Sequence, residues 1–219
     1  MSLKEKIRKS SRIYGLIYPK RLASRSLFAR IFSARNYRKN SAIAKALPKD
    51  RYLCRQNSGT PADRLRFGLS SFARSGCEVM ALCNVLIKMN VGFDIAEVIR
   101  SLERGGASLA GLLGTAPAAI ARVLEERGLD AGFFGRNYAK DYDRLAQSCE
   151  ACVFTFWWGG RSLVIHTVML EKQKDGSGIT AVNLFKNEDS TDFYSIESMI
   201  RSLGLEPLSL ITVKPGHKD

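Results

Sequence analysis

The sequence predicts an α+β fold, with helices in its first half and an antiparallel sheet in its second. Two observations carry this. Between residues 75 and 127 apolar side chains recur at helical spacing, whereas from 152 to 213 they alternate or run together in β-branched and aromatic stretches separated by turn residues. The 219 residues, 45% apolar and 25% charged, suit one globular domain with or without an extension. No stretch approaches the roughly 18 consecutive apolar residues of a membrane span.

Taken in order, Asn57–Pro61 (NSGTP) is a turn-rich joint, and Ser75–Met89 reads as an apolar helix buried on more than one side. Asp94–Arg104 is amphipathic, with Ile95, Val98, Ile99 and Leu102 on one face and Gly105-Gly106 as its stop. Small, Gly-rich residues follow, then Pro117 opens a helix to Arg127 that Gly128 ends. A short helix is expected over Tyr142–Gln147. Strands are expected over Cys152–Trp158 and Ser162–Glu171, separated by Gly159-Gly160. The hairpin turn KDGSG (Lys174–Gly178) leads into a strand over Ile179–Phe185. A helix at Ser195–Ser202 and a strand at Leu208–Val213 complete the chain.

Charge divides the molecule differently. Of the formal +13, residues 1–55 hold 16 Lys/Arg against 2 Asp/Glu, and the remainder is close to neutral. This marks residues 1–56 as a basic arm and 57–219 as the body. Within the arm, Leu27, Phe28, Ile31 and Phe32 form a short apolar stripe among arginines. Such a helix suits docking on the body or a partner protein, an anionic membrane surface, or nucleic-acid phosphates. The first 30 residues carry charge throughout, so Sec export is not expected. Five cysteines, an odd number, suit reduced thiols in a cytoplasmic protein rather than a disulfide scaffold.

One helix entrance stands out chemically. Ser75 and Glu78 have the spacing of a capping box, which places Cys77 in the first turn, where free N–H groups favour a thiolate. A nucleophilic thiol needs a base. Of the two histidines, His217 lies in a polar tail, and His166 sits on an apolar strand sharing a face with Val164 and Val168. The side-chain carbonyl of Asn183, across the next hairpin, is placed to orient the His166 ring. Asn187, Asp189 and Asp192 are weaker candidates because they fall in a loop.

The order of helix-borne Cys77, strand-borne His166 and then Asn183 resembles the papain-like cysteine peptidases. The local words Gly76-Cys77-Glu78-Val79 and Asn183-Leu184-Phe185 resemble a bacterial branch related to the bacteriocin-processing peptidases. The resemblance spans about residues 66–213. It implies a papain-like fold that hydrolyses a peptide or amide bond through an S-acyl intermediate. Cys77 would be the nucleophile and one oxyanion donor, His166 the acid/base and Asn183 its orienter. The family usually supplies a second oxyanion donor from a Gln shortly before the nucleophile. Here Ser71 stands at that place with a shorter reach.

The expected partner is therefore a peptide or protein substrate, with no cofactor and no metal. Cys149-Glu150-Ala151-Cys152 has metal or redox spacing, but no second pair completes a zinc set, and the Trp-x-x-Pro-like context at a helix start that a thioredoxin-type role wants is missing. Trp157-Trp158 suits either a groove wall near His166 or one core and one rim position. Two further readings share the fold: acyl transfer by the same triad, and a binding module in which catalysis is impaired.

Overall fold

A computed structural model describes residues 27–48, 51–54, 60–105, 114–158 and 164–216, with side chains from residue 31 onward. The expected turn at Gly159-Gly160, the Gly-rich stretch after Gly105, most of the joint at 57–61, His217 and the side chains of Leu27 and Phe28 lie outside the described residues.

The helices are α1 (Leu27–Ala44), α2 (Phe72–Ser75), α3 (Cys77–Lys88), α4 (Ile95–Gly105), α5 (Pro117–Glu125), α6 (Tyr142–Gln147) and α7 (Ile196–Leu203). A two-residue hairpin, β1 (Arg66–Phe67) and β2 (Ser70–Ser71), precedes the main sheet. That sheet consists of β3 (Leu129–Gly135), β4 (Ala151–Trp157), β5 (Ile165–Lys172), β6 (Ile179–Val182), β7 (Ser190–Phe193) and β8 (Glu206–Pro215). Its order is β3-β8-β4-β5-β6-β7, and every neighbouring pair is antiparallel. Among the described residues no helix is long and apolar enough to cross a membrane.

Alternation along the strands explains the two cores. Val153, Met169, Val182 and Ile211 face α3, α4 and α5. Cys152, Phe154, Phe156, Val168, Leu170 and Leu210 face α6 and α7. Because β4 and the middle of β8 are covered on both sides, both are continuous buried runs, mostly apolar but including Thr155, Ser209 and Thr212. The last helix carries the capping box that α3 lacks. Ser195 accepts from the Ser198 amide, the Ser198 hydroxyl accepts from the Ser195 amide, and Gly204 ends the helix at φ +61°.

Three elements differ from expectation. β3 contains Gly132 and Gly135, which obscured its strand pattern, yet it pairs with β8 along its whole length. β7 (STDF) is polar because it is an edge strand, and it places Asp192 in the sheet instead of a loop. The strand expected to reach Phe185 stops at Val182, because Asn183 turns left-handed at φ +62°.

The segment assigned to a basic arm is, over its described residues, packed on the body. α1 has 18 residues, and of the two described side chains of the expected apolar stripe Ile31 is exposed and Phe32 half-buried. The buried side carries Ser33, Asn36, Asn40 and Ala44. Asn40 clamps residue 66 from both sides, donating to the Arg66 carbonyl at 2.9 Å and accepting from its amide at 2.9 Å. Asn36 donates to the Gly68 carbonyl (2.8 Å) and to Glu103 Oε1 (2.6 Å). Farther along, Asn84 of α3 holds Leu53 through its amide (2.7 Å) and carbonyl (2.9 Å). These asparagines give buried backbone groups partners that no strand supplies.

Candidate active site

Cys77 lies in the first turn of α3, as expected, but the helix opens at Cys77 itself and not at Ser75, and the device that places it there differs. The N-cap is Gly76 and no side chain caps the helix. Ser75 instead donates to Ser70 Oγ at 2.9 Å. A Cβ on Gly76 would meet the Phe72 carbonyl at 2.6 Å and the Phe72 ring at 2.7 Å, so only glycine lets α2 fold so tightly against the start of α3.

Glu78, freed from capping, turns inward. It is 2% exposed, and its Oε2 accepts the Cys77 thiol hydrogen at 3.2 Å. Its Oε1 accepts from the Thr115 amide at 3.3 Å. Gly114, at φ +74°, makes room for this carboxylate, since any Cβ there would collide with Glu78 Oε1. The electrostatic consequence reverses the sequence expectation. Burial pushes the Cys77 thiol well above the range of a free cysteine, and the Glu78 charge and the hydrogen bond to it push in the same direction. Amides of Thr167 and Glu78 directed at the sulfur oppose the shift without overcoming it. Burial likewise raises Glu78. The resting thiol is therefore protonated.

His166 occupies the start of β5, paired with Phe156 of β4. Its ring meets Phe156 and Trp158 edge-on, with centroids 5.8 and 6.0 Å away, and Phe185 closes on Trp158 at 5.7 Å. Trp157 is buried and Trp158 half-buried beside the imidazole, so one tryptophan belongs to the core and the other to the histidine. His166 Nε2 lies 2.9 Å from the backbone carbonyl of Asn183. A carbonyl only accepts, so Nε2 carries the hydrogen and Nδ1 keeps its lone pair when the ring is neutral. Burial lowers the ring below the usual histidine range, while the backbone of Asn183 and Leu184 acts against that.

The atom of Asn183 that meets the imidazole is thus its main-chain oxygen and not its side-chain amide. Asn183 reaches that position because asparagine tolerates the left-handed conformation that ends β6, and its amide is held by the Asp189 carbonyl at 2.9 Å. Of the weaker candidates, Asp189 contributes that carbonyl, and Asp192 accepts from Thr180 at 2.6 Å. Ser71 lies at the N-terminus of α2, partly exposed, and makes no capping bond.

The structure accordingly brings Cys77 to the backbone of Thr167, the residue after His166, and joins His166 to Asn183. It does not join Cys77 to His166 by a hydrogen bond, because the thiol bonds to Glu78. Sequence reasoning missed that role for Glu78. The spacing that marks a capping glutamate is the same for one turned inward, and only Gly114, distant in sequence, distinguishes them. Among the described residues no cluster of three His, Cys, Asp or Glu is placed to hold a metal.

No protein-family profile matches the chain, and no curated protein matches it. Among solved structures, the chain is similar to a double glycine motif protease from an AMS/PCAT transporter, determined in complex with the leader peptide. Identity is 13% and the TM-score 0.44, over 68% of this chain and 89% of that one.

Proposed function

We propose that the chain is a thiol hydrolase acting on a peptide or amide bond, held at rest with its nucleophile protonated. The observation that carries this reading is the His166–Asn183 bond. It fixes the imidazole with Nδ1 as a free base, on the strand whose next amide is directed at the Cys77 sulfur. In the working state the thiol turns from Glu78 to Nδ1 and gives up its proton. The sulfur then attacks the substrate carbonyl, and the imidazolium returns the proton to the leaving amine. The Cys77 amide at the start of α3, with Ser71 as the second donor, receives the developing oxyanion. Water then releases the acyl group. An amine acceptor at that step would make the same machinery an acyltransferase.

A second reading rests on the buried carboxylate. If Glu78 never releases the thiol hydrogen, the same surface is a peptide-binding module without turnover. One experiment separates the two. The full chain is incubated near pH 7 with a peptidyl electrophile, and the modified residue is mapped by mass spectrometry. The hydrolase reading expects the label on Cys77, with at least a tenfold loss of rate in His166→Ala. Labelling that ignores His166, or that never reaches Cys77, leaves the binding module.

A further inference from the structure

The second sheet face carries a pair of thiols that the proposed hydrolysis does not use. Cys149 lies in the turn after α6, and Cys152 is the second residue of β4. Both are buried among the residues that line α6 and α7, on the side of the sheet opposite α3. Their sulfurs stand 3.2 Å apart. A disulfide needs about 2.05 Å, so closing the bond asks for an approach of only about 1 Å. The flanking backbone is fixed. The Cys149 amide bonds to Ala146, the Glu150 amide bonds to Val213, and Cys152 stands in register between Leu170 and Thr212. Two sulfurs held this way react as neighbours and do not first have to find each other.

We propose that Cys149 and Cys152 are a redox-active pair, oxidised to an intramolecular disulfide by hydrogen peroxide and restored by a dithiol. Cys149, in the turn and not locked between two strands as Cys152 is, is the residue that attacks first. Its thiol is lowered from the ordinary cysteine range, chiefly by the hydrogen bond with Cys152; burial opposes this, the Val213 amide, Lys172 and Lys214 add to it, and Cys152 is raised by the same bond and by burial. The Cys149 thiol donates to the Ala146 carbonyl at 3.3 Å, and a pocket of about 200 Å³ lies on the far side of Ala146, between Gln147, Lys172 and Tyr194, without reaching either sulfur, so the peroxide enters by a local opening of the turn. The Cys149 thiolate attacks one peroxide oxygen, the O–O bond breaks, and the departing hydroxide leaves as water after taking a proton. The resulting sulfenic acid is attacked by Cys152, forming the S–S bond while the S–O bond breaks and a second water leaves with the Cys152 proton. Two thiols lose two electrons and one peroxide gains them.

The test uses the full chain, treated with hydrogen peroxide, alkylated and digested without reductant. The expected result is that the peptide containing both residues loses two hydrogens and takes up no alkyl group, with both effects reversed by dithiothreitol. Cys77 and Cys83 remain open to alkylation in the unfolded chain, and peroxide-treated Cys152→Ser stops at a Cys149 sulfenic acid that dimedone traps. The proposal is overturned if both residues still alkylate after peroxide has oxidised Cys54. It is equally overturned if dimedone marks Cys152 in Cys149→Ser but never Cys149 in Cys152→Ser. Neither readout depends on Cys77, so the result stands apart from the hydrolase reading.

Discussion

Glu78→Gln is expected to release the Cys77 thiol. The glutamine keeps the volume and a carbonyl acceptor but removes the charge that, after burial, contributes most to raising the thiol. Each unit by which the thiol falls increases its thiolate fraction about tenfold below its midpoint, and alkylation follows that fraction. Iodoacetamide uptake at Cys77 near pH 8 should therefore rise about tenfold over the parent, with Cys54 as internal reference. An unchanged rate would show that burial alone sets the thiol. The same variant changes stability against pH with a defined sign. Glu78 is raised in the folded chain from its ordinary 4.5, so its protonated form favours folding. That contribution is complete below the unfolded value and is lost as pH rises through the folded one. Urea melts from pH 4 to pH 8 should show the parent losing stability relative to Glu78→Gln. Glu103, raised by burial and present in both chains, contributes equally to each.

Removing residues 1–55 is expected to unfold the body and not merely to strip charge from it. The deletion takes away the Asn36 and Asn40 bonds and the buried side chains of Ala44, Leu47 and Leu53. It leaves Glu103, Asn84 and the Arg66 backbone in place without those partners. Each buried polar group left unsatisfied costs about 1–3 kcal/mol, and more when charged, against a total stability of about 5–15 kcal/mol for an ordinary domain. Circular dichroism of residues 56–219 should show no cooperative melt. Asn36→Ala, which removes one of these partners, should lower the midpoint of the full chain by several degrees. A truncated body that melts like the parent would refute the docking.

The helices and central strands were legible because their signals are local. The periodicity of Asp94–Arg104, the KDGSG hairpin and the continuous run at β4 each declare themselves within about ten residues. β3 was not legible because its two glycines carry no burial signal, and β7 was not because an edge strand has no apolar face to show. At the candidate site, residue identities could be read but atomic roles could not. Asn183 meets His166 through its main chain, a consequence of one left-handed turn, and Glu78 was assigned to a helix cap when Gly114 gives it an interior berth. Both facts depend on contacts between segments far apart in sequence.

The buried amides of α1 also determine how its positive residues are displayed. An oily stripe can slide along its seat by a turn at small cost, but Asn36 and Asn40 fit only one set of main-chain atoms, so the rod is keyed at a single setting. Arg35, Arg38 and Lys39, all exposed, are therefore rooted at set points on the helix while their charged ends stay in water.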